Sequence, residues 1–361
     1  MKRPELSIII PVYNCEQDIA RCLWSIKRQK GFDQYEVILV DDCSTDNTPM
    51  FLELFASSYK NVKLISHKEN AGVSVARNTG IAASTGGHLT FVDPDDEVGL
   101  SIAKFNEYFK EPTYHEVIDN LDYKESYVPL CLKNKPIPTR YFTDTYFINM
   151  LNAAKNTDAE VILGGQIIIN NDINCIVRQA YDKGTIYGKA PEDKDIILKQ
   201  AELRESANFA LYKRSLLDGH NLRFLANMRN DGDMLFCMLA VLYAEKVATI
   251  PDVTYFYNRH LNSISNISDP MEFKRKFAIA NIQRYSVLLK ELSKYPEYAR
   301  IFNTYMGIFA ANGQMHQYKK ESFPPKQCID CASDKCTGCK FMNPMSALIQ
   351  QNIELYTTKT M

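Results

Sequence analysis

The sequence has no apolar run long enough to cross a bilayer as a helix, which takes about 20 residues. Its longest apolar run, Met234–Ala244, is roughly half that length. No secretory leader is expected at the amino terminus: its apolar stretch is only Ile8–Ile10 and Val12, too short for a leader's apolar core, and reads as a buried strand. The expected location is therefore the cytoplasm. An excess of either charge is lacking, because 42 Lys and Arg face 43 Asp and Glu, leaving a net charge of −1. That balance argues against nucleic acid as a partner and requires any attraction to an acidic membrane to be local. Trp24 is the only tryptophan, and five of the six histidines show no ligand spacing. No internal repeat or low-complexity tract is present.

Cysteine is not scarce. Ten cysteines in a 361-residue chain without a leader read as reduced thiols rather than a disulfide framework. Cys15, Cys22, Cys43, Cys131, Cys175 and Cys237 are scattered and suit the part of small buried hydrophobes. The other four cluster as Cys328-x2-Cys331-x4-Cys336-x2-Cys339. Four thiolates so close suit a structural Zn2+ site, although the middle spacer is short; redox-active or unpaired thiols and an iron–sulfur cluster stay open beside it.

The first hundred residues alternate strand and helix signals. Short apolar strands are expected at Ser7–Pro11, Tyr35–Val40, Val62–Ile65 and His88–Val92. Helices are expected over Cys15–Gln29 with Asn14 as cap, over Thr48–Ser58 with Thr48 as cap and Pro49 at its start, and over Ser74–Ala83. Strands apolar on both faces and joined by helices predict an α/β, Rossmann-like, mostly parallel sheet covered on both sides. Ligands gather at the carboxyl ends of such strands, where Pro11–Asn14, Asp41-Asp42 and Asp93–Asp96 fall.

Residues 110–145 are rich in Tyr, Pro, Asp and Lys with weak periodicity, and read as a surface insertion. Order resumes with a strand at Glu160–Gly165 and a hairpin of Gln166–Asn170 and Cys175–Gln179. A helix over Asp231–Ala244 and a strand at Val253–Tyr257 follow, then two helices between Pro270 and about Lys320, broken near Pro296.

Asp93-Pro94-Asp95-Asp96 carries the most chemistry. Three carboxylates in four residues repel one another unless solvated or shared with a cation. On a tight turn they suit a hard divalent metal, Mg2+ or Mn2+, which prefers oxygen ligands and can bridge a diphosphate. Alone, the turn reads as readily as a solvated acidic helix start. Upstream lies Asn70-Ala71-Gly72-Val73-Ser74-Val75-Ala76-Arg77-Asn78-Thr79-Gly80, at a strand-to-helix junction. Gly72 permits close backbone approach there, and Arg77 could reach a phosphate.

In the order SIIIPVYN, VILVDDCSTDNT, NAGVSVARNTG and FVDPDDEV, residues 7–97 resemble the nucleotide-sugar half of glycosyltransferase family 2, whose members have the GT-A fold. The resemblance implies that Pro11, Tyr13 and Asn14 line the nucleotide pocket and that Asp42 hydrogen-bonds the base. It places Asp93 near ribose or sugar hydroxyls, Arg77 beside the diphosphate or donor sugar, Asp95 on the metal and Asp96 at the donor. The family's Glu-Asp-x-x-Phe signature aligns with Gly232-Asp233-Met234-Leu235-Phe236. Asp233 thereby inherits the role of catalytic base, with Asp231 as a rival and helix capping as the plain alternative. Tyr257-Asn258-Arg259-His260 with Ser263-Ile264 is similar to a family pattern in which Arg259 or His260 could touch the diphosphate or the metal. The Gln-x-x-Arg-Trp of processive members is missing, which favours single additions.

Lys274, Arg275, Lys276 and Arg284 follow Pro270, interleaved with Phe273, Phe277 and Ile279. They suit a solvated helix face or, as the alternative, peripheral contact with an anionic membrane. The resemblance then implies a GT-A catalytic domain over 1–265, comprising a nucleotide-sugar half (1–100), the insertion and an acceptor half (158–265). A helical extension (266–322) and a cysteine-rich tail (323–361) complete the chain. The activity implied is inverting, metal-dependent transfer from a nucleotide sugar, most commonly UDP-linked, to a glycan or lipid-linked acceptor. Surface polysaccharide synthesis at the inner face of the plasma membrane is the implied setting. Two rivals stand beside it. An Asp-x-Asp phosphotransferase needs a hydroxyl residue and a lysine beyond the turn, and Asp96-Glu97-Val98 supplies neither. A catalytically inactive scaffold finds support in Gly232, where the family often has glutamate.

Overall fold

The computed structural model describes residues 3–99, 116–119, 144–170, 175–179, 181, 184–204, 206–226, 228, 232–259 and 270–309. The chain divides into two compact units, Met1–Asn227 with Phe236–Asn266, and Met228–Leu235 with Ile267–Met361.

In the first unit, β1 (Leu6–Val12), β2 (Glu36–Asp41), β3 (Val62–Ser66) and β4 (His88–Phe91) run parallel in the order β3-β2-β1-β4. Helices α1 (Ile19–Lys27), α2 (Thr48–Ser58) and α3 (Val73–Ala83) make the crossovers. Ile8, Ile9, Ile10, Val37, Ile38 and Leu39 are wholly buried, as strands covered on both faces must be. The sheet becomes mixed where β10 (Ala210–Lys213) enters antiparallel between β4 and β7 (Val161–Asn170). Beyond β7, β11 (Val247–Arg259) returns parallel, and β5 (Glu97–Val98) lies antiparallel against it. Off this path, β8 (Cys175–Gln179) pairs with β7 and with β6 (Glu116–Asp119), and β9 (Ile186–Tyr187) pairs with β11.

Several expectations need correction. Helix α1 begins at Ile19 rather than Cys15, because Asn14 adopts φ 48° and bonds Thr45 instead of capping the helix; Asp18 takes the N-cap position. Asn47, not Thr48, is the N-cap residue of α2, and the Thr48 hydroxyl accepts the Cys15 N–H at 2.8 Å. Strand β7 fuses the expected strand and hairpin arm into one. Strand β11 is far longer than Val253–Tyr257, since register shifts between Thr249 and Tyr255 break its alternation. Residues 116–119 of the supposed insertion form β6, parallel to β8.

Helices α4 (Tyr146–Thr157), α5 (Pro191–Arg204) and α6 (Arg214–Gly219), with β9 and β10, had no counterpart in the sequence reading. Helix α5 is tied to the end of α7 (Gly232–Tyr243) by Lys194, whose buried Nζ donates to the carbonyls of Val241 and Ala244 at 2.7 and 2.6 Å. These are carbonyls that a helix terminus leaves without intrahelical partners. Burial lowers the Lys194 pKa to about 8.

The second unit contains α8 (Pro270–Leu292), a short 3-10 turn at Pro296–Tyr298 and a helix over residues 299–309. Arg284 is buried there, with Nη2 donating to Asn281 Oδ1 at 2.5 Å, so it belongs neither to a solvated face nor to a membrane-facing one. No helix among the described residues is long and apolar enough to cross a membrane.

The approach of α3 to β1 sets where its side chains point. A Cβ added at Gly80 would come within 2.3 Å of Ile9 Cγ2. Gly80→Ala must therefore push the helix outward, and stability should drop by about 1–3 kcal/mol. Urea unfolding measures this, and an unchanged midpoint would contradict such close packing.

Candidate active site

The acidic turn leaves β4 at the carboxyl edge of the sheet, and its three carboxylates have different surroundings. Asp93 is gripped at both oxygens: Arg77 Nη2 donates to Oδ1 at 2.8 Å and Asn208 Nδ2 to Oδ2 at 2.6 Å. The β10–β4 register explains Asn208. Tyr212 faces Leu89 and Lys213 faces His88, so paired numbers sum to 301, and Asn208 falls opposite Asp93 (208 + 93 = 301).

Asp96 is fully buried. Its Oδ2 accepts the Tyr255 hydroxyl at 2.6 Å and its Oδ1 the Asn258 N–H at 3.0 Å. The Asn258 side chain also donates to the Asp95 carbonyl at 3.0 Å, and Arg21 Nη2 reaches the same carbonyl at 2.9 Å. Burial, then the charges of Asp95 and Asp93, push the Asp96 carboxyl well above the carboxylate range. The resemblance puts Asp96 at the donor; with no exposed surface, it acts there only through the turn that it fastens to β11.

Asp95 differs from both. Among the described residues its side chain has no hydrogen-bond partner beyond its own backbone N–H, and burial and then Asp93 raise its pKa to about 7. A hard divalent cation fits this arrangement through Asp95 alone. No group of three or more His, Cys, Asp or Glu able to hold a metal occurs among the described residues. Phosphate oxygens and water can complete such a sphere, as is usual for Mg2+.

The other strand ends lie at the same carboxyl edge of the sheet. Pro11 is buried in β1, and Tyr13 just beyond it is 46% exposed, with its ring available for stacking. Asn14 accepts the Thr45 N–H through Oδ1 at 2.8 Å and so binds the loops after β1 and β2 together. Asp42 is buried, and its oxygens accept the N–H groups of Ala71 at 2.9 Å and Gly72 at 2.7 Å. Its observed bonds thus serve the loop Asn70–Gly72, where Gly72 has φ 91° and needs the freedom of glycine.

His67 holds the same carboxylate from the side, with Nδ1 at 2.7 Å from Asp42 Oδ1 and Nε2 at 3.0 Å from Thr79 Oγ1. A neutral ring then donates at Nδ1 and accepts at Nε2. Sequence reasoning missed His67, Asn208, Tyr255 and Asn258. Their partners lie 25 to 163 residues away, so no local spacing announces them.

Asp233 sits in the first turn of α7, partly buried, with its Oδ1 accepting the Met234 N–H at 3.0 Å. That turn belongs to the second unit, whereas the acidic turn lies in the first. Asp231, His260 and the cysteines Cys328, Cys331, Cys336 and Cys339 lie outside the described residues. Cys22 and Cys237 are buried as expected of small hydrophobes, while Cys15 and Cys43 are half-buried.

A profile of the family "Glycosyl transferase family 2" matches residues 7–220, more than half the chain. The putative glycosyltransferase EpsH of Bacillus subtilis is 24% identical over 322 residues, covering 88% of this chain and 79% of its own length. The poly(ribitol-phosphate) beta-N-acetylglucosaminyltransferase TarS of Staphylococcus aureus is 25% identical over 337 residues. The match takes in 91% of this chain but 49% of that relative, about half its length. Among solved structures, S. aureus TarS in complex with UDP-GlcNAc superposes with a TM-score of 0.57 at 18% identity, covering 85% of this chain and 72% of that one. This likeness shows the fold, a GT-A architecture with a mostly parallel sheet.

The electrostatics of the turn can be tested without any ligand. Because the folded-state pKa of Asp95 lies above its ordinary value, the folded protein holds a proton that the unfolded chain has lost, and stability falls as pH rises through this window. In metal-free buffer Asp95→Asn should match wild type near pH 4, then become progressively more stable than wild type up to about pH 7 and hold that lead above it. Chemical denaturation across this range decides; a constant difference would refute the assignment.

Proposed function

Because this chain belongs to glycosyltransferase family 2, and is thus a sugar-transferring enzyme, we propose that it moves a sugar from a nucleotide diphosphate to an acceptor hydroxyl, with inversion at the anomeric carbon. The observation that carries this reading is the division of labour in the acidic turn. Two carboxylates are held by protein partners, whereas the Asp95 side chain has none among the described residues beyond its own backbone N–H.

The nucleotide is read as lying along that edge. Tyr13 offers a ring face to the base, the Asn70–Gly72 loop held by Asp42 shapes the wall beside it, and Arg77 contributes positive charge toward the diphosphate. Asp93, held by Arg77 and Asn208 yet a quarter exposed, can accept a ribose or sugar hydroxyl. Asp95 would hold a divalent cation, Mn2+ or Mg2+; when bound, that ion neutralises the charge gathering on the departing diphosphate. Asp233 takes the proton of the acceptor hydroxyl. The acceptor oxygen bonds to the anomeric carbon as the bond from that carbon to the phosphate oxygen breaks, and the nucleoside diphosphate leaves in one displacement.

A UDP-linked donor and a cell-surface glycan acceptor of polyol-phosphate or lipid-linked type rest on kinship with TarS and EpsH. In this reading residues 1–265 carry the chemistry, and 266–322 form a helical extension.

A thermal-shift panel of UDP-, GDP- and dTDP-sugars with and without Mn2+ tests the donor reading. Stabilisation is expected with a UDP-sugar, dependent on Mn2+ and lost in Asp95→Ala; no shift with any nucleotide sugar would sink it. Asp233→Asn should keep donor affinity while kcat falls by roughly 10²- to 10⁴-fold, the usual worth of a positioned base. Retained turnover would remove Asp233 from the mechanism.

A further inference from the structure

Asp93 is not the only group that holds Arg77. The Arg77 Cζ also lies 5.2 Å from the centroid of the Phe224 ring, within the range of a cation–π contact. Phe224 belongs to the segment between α6 and α7 and is 3% exposed. Its ring lies face to face with Phe236 at 4.1 Å and 1°, and edge-on to Phe91 of β4 at 5.0 Å and 89°. Rings packed in this way have little room to tilt.

The backbone of Phe224 is pinned as well. Its N–H donates to Asn78 Oδ1 at 2.9 Å, and Asn78 Nδ2 donates to its carbonyl at 2.8 Å. This two-point pairing fixes both the position and the orientation of the segment, across 146 residues of sequence. Asn78 is the residue next to Arg77 on α3. One residue of the helix therefore grips the backbone that carries Phe224, and the adjacent residue rests its guanidinium on the ring so presented.

Arginine has a long side chain, and ordering it on binding costs free energy that a pre-set pose avoids. A carboxylate and a fixed ring together hold the guanidinium at two points. We propose that Phe224, gripped by Asn78, is a positioning residue for Arg77 that holds the guanidinium, itself 5% exposed, where it bonds Asp93 and lends its positive charge to the donor's diphosphate. The proposal deepens the donor-site reading above and rests on it.

The test is a double-mutant cycle read by calorimetric titration with UDP in the presence of Mn2+. Phe224→Leu and Asn78→Ala should each weaken UDP binding roughly three- to tenfold when Arg77 is present. In an Arg77→Ala background the same changes should alter it by less than about twofold. Equal losses in both backgrounds would mark a merely structural role and overturn the proposal, as would no loss in either. Asn78→Ala leaves every core ring in place and carries the test if Phe224→Leu fails to fold. If wild type binds no UDP, the donor reading fails by itself. Coupling is then read from urea unfolding of the Phe224→Leu, Arg77→Ala and double variants: non-additive losses support the positioning role, and additive losses overturn it.

Discussion

Three carboxylates within four residues, at the carboxyl edge of a largely apolar sheet, set the constraint to which the rest of the structure answers. Like charges so close raise one another's pKa, and burial raises them further. The fold resolves this by giving each carboxylate a different environment. Asp93 receives a guanidinium and an amide, Asp96 is sealed beneath a tyrosine hydroxyl and a backbone N–H, and the Asp95 side chain has no hydrogen-bond partner among the described residues beyond its own backbone N–H. In the proposed reading, Asp95 is the carboxylate that would meet a cation and a diphosphate.

The partners come from distant parts of the chain, and the mixed sheet delivers them. Strand β10 runs antiparallel to β4, so the residues entering it lie beside the residues leaving β4. Asn208 meets Asp93 for that reason. The antiparallel pairing of β5 with β11 does the same for Asn258 and Asp95: paired numbers there sum to 353, as in Tyr255 with Val98, and 258 + 95 gives that sum. An all-parallel sheet would have put the beginnings of its later strands at the opposite edge.

Preorganisation on the nucleotide side follows a similar logic. Asp42 spends its carboxylate on two loop N–H groups and a histidine, which orders Asn70–Gly72 before any ligand arrives. Asn14, with its positive φ, does so for the loop after β2. These contacts cost helix α1 its expected first turn: the residues after Asn14 serve the loop, and the helix begins at Ile19.

The four parallel strands with the three helices between them, the edge of the sheet that gathers the acidic turn and the candidate residues Tyr13, Arg77, Asp93 and Asp95 were legible in the linear chain. Each depends on short-range periodicity or on motifs carried by contiguous residues. Beyond residue 100 that legibility faded. Strand β11 carries a bulge that destroys its alternation, the apolar residues of α5 are few, and β9 and β10 are too short to show a period. What the linear order could not decide is which carboxylate of the turn would be available. Asn208, Tyr255, Asn258 and His67 determine that, and each reaches its aspartate only through strand register and loop closure. The sequence by itself determined that an acidic turn would end a buried parallel strand. Only the tertiary structure decided that Asp93 would be gripped, Asp96 buried and the Asp95 side chain left without a distant hydrogen-bond partner among the described residues, because the compensating charges and hydrogen bonds are non-local.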